Sequence, residues 1–151
     1  MVTPKAWTLP GSWASWPIGV KEAHRFDSIA LCEGSPDFLA AHFLTRWEQA
    51  SHYTRREVQS APVALLGASV NIHLDALPLF AGKRIRIFPH ADKAGYAAAE
   101  RWAAQLESVG ANVDAFNFGG LRQFNGTPVK DLNDSLAMEA ASFREAERML
   151  P

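Results

Sequence analysis

A chain of 151 residues, 48% hydrophobic and 21% charged, has the size and composition of one folded domain with its own core. A formal net charge of -1 excludes the overall basic excess of a non-specific nucleic-acid binder, though not a local basic strip. Cys32 is the sole cysteine, which excludes a disulfide frame and a cysteine-built zinc site and suits a reducing, cytoplasmic setting.

No apolar run of about 20 residues and no signal-peptide run occurs, so the expectation is a soluble protein that stays inside the cell and makes no membrane contact. Residues 1–27 form an irregular Trp/Pro-rich N-terminal arm, with Trp7, Trp13 and Trp16 among Pro4, Pro10, Gly11, Pro17 and Gly19 and no clean period. Tryptophans lying on the domain explain such a segment, as does a contact face for a neighbouring domain or stacked bases. Residues 28–151 read as a single α/β domain.

From Ser28 the pattern becomes regular. Ile29-Ala30-Leu31-Cys32 is a continuous apolar run, as in a strand covered on both faces, and Glu33-Gly34 closes it. Ser35 suits an N-cap, Pro36 a first helical position and Asp37 the positive end of a helix. Phe38, Leu39, His42, Phe43 and Trp47 predict that helix's apolar face. A second strand is predicted over Pro62–Leu66, ended by Gly67, and a short helix around Asn71–Leu77. Ile85, Ile87 and Phe88 make a third strand, which Pro89 ends. Helix Ala94–Val109 follows and Gly110 stops it. Val113–Phe118 predicts a fourth strand, Gly119-Gly120 opens a loop running to Thr127-Pro128, and Asp131 to Met149 is mostly helical.

Strands alternating with helices imply βαβ crossovers and a mainly parallel sheet of about four strands, flanked by helices. In such sheets, ligands collect beyond the carboxyl ends of the strands. Glu33 ends the first strand, His90 and Asp92 follow the third, and Asp131 lies beyond the fourth, so three remote segments should meet at one edge.

CEGSPDFLAA, then IFPHADKAG with an Ala-rich helix, then VKDLND, resembles the Toprim domain shared by bacterial-type DNA primases, topoisomerases and certain nucleases. The three ordered motifs cover roughly Ser28–Leu136. The KDLND ending and the GSWASWPIGV lead-in are most similar to primases of phages and plasmids. The resemblance implies a compact, Rossmann-like Toprim fold with a catalytic Glu at the end of strand one. It also implies an acidic pair holding a divalent ion after strand three, and a further acidic site. Those positions are Glu33, His90 with Asp92, and Asp131, with catalysis carried by Glu33 and Asp92. Asp37 and Asp134 are secondary acids. Gly34 and Gly95 would let backbone approach the ligand, and Lys93 would meet a phosphate oxygen.

His90 stands where the family's pair has its first Asp. Mg²⁺ prefers hard oxygen ligands, whereas imidazole suits Mn²⁺ and other transition ions, so Mg²⁺ should bind more weakly here. His90 as a proton carrier and a degraded, binding-only site are the other readings. Each acid also has a plain structural role open to it: Asp37 as a helix-end charge, Asp92 as an N-cap, and Asp131, Asn133 and Asp134 as capping residues. Lys83, Arg84 and Arg86 form a small basic cluster that needs Arg55, Arg56 or Arg122 nearby to make a nucleic-acid strip.

The function so implied is metal-dependent nucleotidyl or phosphoryl transfer in RNA-primer synthesis for DNA replication, with DNA template and nucleotides as partners. The sequence has neither a zinc-ribbon motif nor a P-loop. A primase-type domain would therefore work with other domains of a larger primase/helicase protein and be inactive alone. A nuclease of the same fold, and a metal-poor module that binds nucleic acid or protein, are the alternatives.

Overall fold

The computed structural model describes residues 10–50, 60–139 and 141–142, with the backbone alone for 46–50. At its centre lie β1 (Ser28–Glu33), β2 (Ser60–Leu65), β3 (Arg84–Phe88) and β4 (Asn112–Ala115). They are ordered β2-β1-β3-β4, and each neighbouring pair is parallel. The helices are α1 (Val20–Ala23), α2 (Gly34–Ala50) and α3 (Lys93–Glu107), with 3-10 turns at Leu74–Phe80 and Asp134–Ala137. The α/β, Rossmann-like arrangement expected from the sequence is present.

Strands buried on both faces need apolar side chains at odd and even positions alike. Ile29, Leu31, Val63, Leu65, Ile85 and Ile87 enter one core, beneath α3, the Leu74–Phe80 turn and α1. Ala30, Cys32, Ala64 and Phe88 enter the other, beneath α2 and the irregular segment carrying Phe118, Leu121, Val129, Leu132 and Met138. Residues 10–27 lie on this body. Ile18 and Ala64 exchange backbone hydrogen bonds of 2.8 and 3.1 Å in antiparallel sense, covering the outer edge of β2. Trp16 packs against the first core, while Trp13 stacks on His73 with ring centroids 4.6 Å apart. Trp7 lies outside the described residues.

Several elements differ from their sequence reading. β2 starts two residues before Pro62 and ends at Leu65. The helix read around Asn71–Leu77 is a 3-10 turn starting at Leu74, because the Gln105 side chain takes both the N–H and the C=O of Ile72. β4 stops at Ala115, although Phe116 N still donates to Ile87 O at 2.8 Å. Beyond it Phe116 and Phe118 gather on Phe88 as an aromatic cluster. Over 131–139 the expected helix is only the turn Asp134–Ala137, since carboxylates of Asp131 and Asp134 take loop N–H groups. Ala140 and 143–149 lie outside the described residues.

The orientation of α2 differs most. Leu39 and Phe43, read as part of its apolar face, are 68% and 54% exposed. The buried face is Asp37, Ala40, Ala41, Leu44 and Thr45. Small side chains let α2 come close to Ala30, Cys32 and Ala64, and this close approach outweighs burying the larger residues. Trp47 has no described side chain.

Candidate metal centre at the carboxyl edge of the sheet

From β1 the chain crosses to β2 on one side, and from β3 it continues to β4 on the other. The crevice at such a divergence lies beyond the carboxyl ends of β1 and β3, where open α/β sheets bind ligands. Glu33 is the last residue of β1 and α2 starts at once with Gly34. The φ of Gly34 is 83°, a left-handed value that a side chain would strain, and it permits this abrupt strand-to-helix turn. The turn carries Asp37 inward until it is 1% exposed. On the neighbouring strand, Pro89 follows Phe88 and brings His90 to the same edge. A third segment joins them through Ala91 N, which donates to Lys130 O at 2.6 Å.

His90 and Asp37 form the middle of the site. His90 Nε2 is 3.1 Å from Asp37 Oδ2, and the other carboxylate oxygen, Oδ1, accepts from Asn133 N at 3.0 Å. His90 Nδ1 lies 3.9 Å from Glu33 Oε2. That Glu33 oxygen is buried with no hydrogen-bond partner. Asp37, His90 and Asp131 each present a ligand atom, all within 4.8 Å of one another. This Asp–His–Asp set could hold a metal ion, with Asp37 buried and the other two half-buried.

Electrostatics follow from this crowding. The bond to Asp37 is the main reason the His90 pKa is pushed up to about 9. Glu33, Asp37 and Asp131 add to the shift and burial opposes it. The carboxyl of Asp131 is raised above its usual range, first by burial and then by Asp37 and Asp134, against the N–H it accepts from Asp134 and the nearby His90. Burial, helped by the charge of Asp37, pushes the Cys32 thiol well up, which leaves a fully enclosed and unreactive sulfur.

The structure thus brings Glu33, Asp37 and Asp131 around His90. Asp92 is not a member of the Asp–His–Asp group: it is exposed and its Oδ1 accepts from Gly95 N at 2.8 Å, capping α3. Asp134 secures the third segment, accepting from Lys130 N at 3.1 Å. A Cβ on Gly95 would stand 2.3 Å from His90 O, so glycine is needed for α3 to seat against the turn that carries His90. Lys93 opens α3 and is exposed. Two members of the basic cluster are taken up elsewhere: Lys83 Nζ donates to His24 O and Phe26 O, and Arg86 grips Asp114 through two 2.7 Å bonds, while Arg84 is exposed. Arg55 and Arg56 lie outside the described residues.

Asp37 is the residue whose weight the sequence understates. Its position four residues after Glu33, in the first turn of a helix that follows directly on a strand, is a signal of proximity. Its burial is not legible until the face of α2 is known.

Fold and site together define a parallel α/β protein with a candidate acidic metal centre at its strand divergence. Among the described residues no helix is long and apolar enough to cross a membrane. No family model, no curated protein and no solved structure matches the chain.

Proposed function

We propose that this chain is a Toprim-like catalytic domain of a primase-like protein, performing divalent-metal-dependent nucleotidyl transfer on a DNA template. The observation that carries the reading is the convergence of Asp37, His90 and Asp131 at the carboxyl edge, with a buried, unpartnered Glu33 oxygen facing His90. A solitary buried carboxylate oxygen is costly, and a cation or a proton in transit would relieve it.

The donor set fits a divalent ion. Asp37, Asp131 and the neutral imidazole of His90 would hold it, and one nitrogen among the donors favours Mn²⁺ over Mg²⁺. A bound ion would supply charge to offset that developing on a transferring phosphoryl group. Glu33 would take the proton of the attacking hydroxyl, since its Oε2 is close to His90 and accepts no hydrogen bond. Lys93, exposed at the start of α3, would meet a phosphate oxygen as a point charge. Zinc-ribbon and helicase functions would come from other domains.

The test is calorimetric titration of Mn²⁺ and Mg²⁺ into the full chain and Asp37→Asn. Saturable Mn²⁺ binding that Asp37→Asn abolishes is expected, with Mg²⁺ weaker. Ribonucleotide incorporation on single-stranded DNA is then set against nicking of a supercoiled plasmid, and nicking alone moves the reading to the nuclease. One observation favours a metal-poor binding module: His90, raised to about 9, is itself a cation among these acids. Absence of any saturable metal binding would leave that module standing.

A further inference from the structure

Between β4 and the Lys130–Asp134 segment the chain makes a hairpin, Leu121–Val129. Leu121 and Val129 are buried in the second core, and Val129 N donates to Leu121 O at 3.1 Å. Higher up, Gln123 N donates to Thr127 O at 2.9 Å, leaving Phe124, Asn125 and Gly126 as a three-residue loop. Gly126 has φ 80° and donates to Gln123 O, the usual closure of such a loop. The tip is then fixed several times over. Arg122 Nη1 donates to Gly126 O at 2.8 Å, Asn125 Oδ1 accepts from Thr127 N and Oγ1, and Phe124 N donates to Ala137 O at 2.9 Å.

On this stiff mount Phe124 is 77% exposed. Its position in the turn accepts almost any residue, so the turn itself does not require an aromatic there. Phe124 therefore stands on a fixed backbone as a flat surface in water, beside a strand that leads through Val129 into Lys130 and Asp131. Arg122, on the first arm, and Lys130, directly after the second, are both exposed. An exposed ring at the tip of a hairpin whose flanks carry exposed cations fits a partner that alternates flat bases with phosphates, and fits an apolar protein face poorly. A duplex hides its base faces in its own stack, so the strand must be unpaired.

We infer that the Leu121–Val129 hairpin is a guide for single-stranded nucleic acid: Phe124 stacks on an unpaired base while Arg122 and Lys130 hold adjacent phosphates, directing the strand toward Asp131. This rests on the reading of the metal centre as acting on nucleic acid, and it adds the form in which the substrate arrives.

The test is fluorescence anisotropy of the full chain with labelled oligothymidylate at low salt. Phe124→Ala should weaken binding by about tenfold or more, Phe124→Trp should keep it, and Phe124→Leu should behave like Ala. Lys130→Gln, which leaves the tip's bonds intact, should flatten the salt dependence by about one unit of slope. A duplex of matched length should compete poorly. Equal binding by wild type and Phe124→Ala overturns the guide, as does full activity of Phe124→Leu or equal competition by duplex. Mn²⁺ titration of Phe124→Ala keeps the two claims apart, because Phe124 belongs to none of the ligand groups. Unchanged Mn²⁺ binding with lost strand binding supports the guide, and Phe124-dependent strand binding supports it even where no metal binds.

Discussion

The two faces of the sheet are buried by different means. The face under α3 is filled by large apolar side chains, with Trp102, Phe80, Ile29, Leu31, Ile85 and Ile87 fully enclosed. Its polar requirements are met by local bonds, such as Trp102 Nε1 donating to Val70 O at 2.7 Å. On the other face the α2 contact is built on Ala30, Cys32 and Ala64 of the strands with Ala40 and Ala41 of the helix, while Phe88, Phe118, Leu132 and Met138 fill the rest beneath an irregular segment. The buried Asp37 and Thr45 belong to this side, on α2. Large side chains on one face stabilise the fold. Small ones at the α2 contact on the other let that helix bring a carboxylate down to the strand ends.

That division has measurable consequences, the largest at Trp102. Trp102→Ala should cost about 3–5 kcal/mol in urea unfolding, since an enclosed indole leaves a cavity the helix cannot close. Mn²⁺ affinity of the folded fraction should not change. A loss of affinity in step with the loss of stability would show that the two faces are not separate in function.

The second effect lies on the α2 side and is read through pH. His90 in the folded chain is raised from 6.5 to about 9, chiefly by Asp37, so folding favours the imidazolium. Its stabilisation is complete below about pH 6.5 and fades as pH rises through about 9, because the unfolded chain loses this proton first. The ring is about a third exposed, with side-chain relative accessibility 33%, so solvent screens the pair. After that discount the contribution is about 1–2 kcal/mol. Urea midpoints measured across this window without divalent ions should fall for wild type and for Trp102→Ala alike. For His90→Gln the midpoints should stay level until about pH 8.5, where Cys32 begins to ionise in the unfolded chain alone. An equal fall in His90→Gln would move the cause to another group.

The β1 run, the Pro89 stop and the Gly110 stop were legible because each follows from local chemistry: apolar continuity, a missing N–H, a left-handed residue. The meeting of Glu33, His90 and Asp131 was legible too, because a parallel sheet places all its strand ends at one edge. What the sequence did not show depended on partners distant along the chain. Leu39 and Phe43 gave α2 a convincing apolar face, yet the packing distance to Ala30 and Ala64 chose the alanine side. Reversing that face is what buries Asp37. The 131–139 segment read as helix from its composition, whereas the side chains of Asp131 and Asp134 bind the backbone and hold it in turns.

Asp92 gives the smallest effect and the sharpest separation of roles. In the sequence it fits equally as an ion ligand and as a helix cap. In the structure its Oδ1 is engaged by Gly95 N and it stands in solvent at the start of α3. Asp92→Ala should therefore cost about 1 kcal/mol of stability through the lost cap, with Mn²⁺ binding retained. Asp92→Asn discriminates further, because asparagine caps a helix as well as aspartate does but carries no charge. It should leave both stability and Mn²⁺ affinity near wild type, in contrast to Asp37→Asn, which keeps the shape of the side chain and loses the ion. If Asp92→Asn instead loses Mn²⁺ while remaining stable, Asp92 turns toward the ion when it binds, and the centre is wider than Asp37, His90 and Asp131.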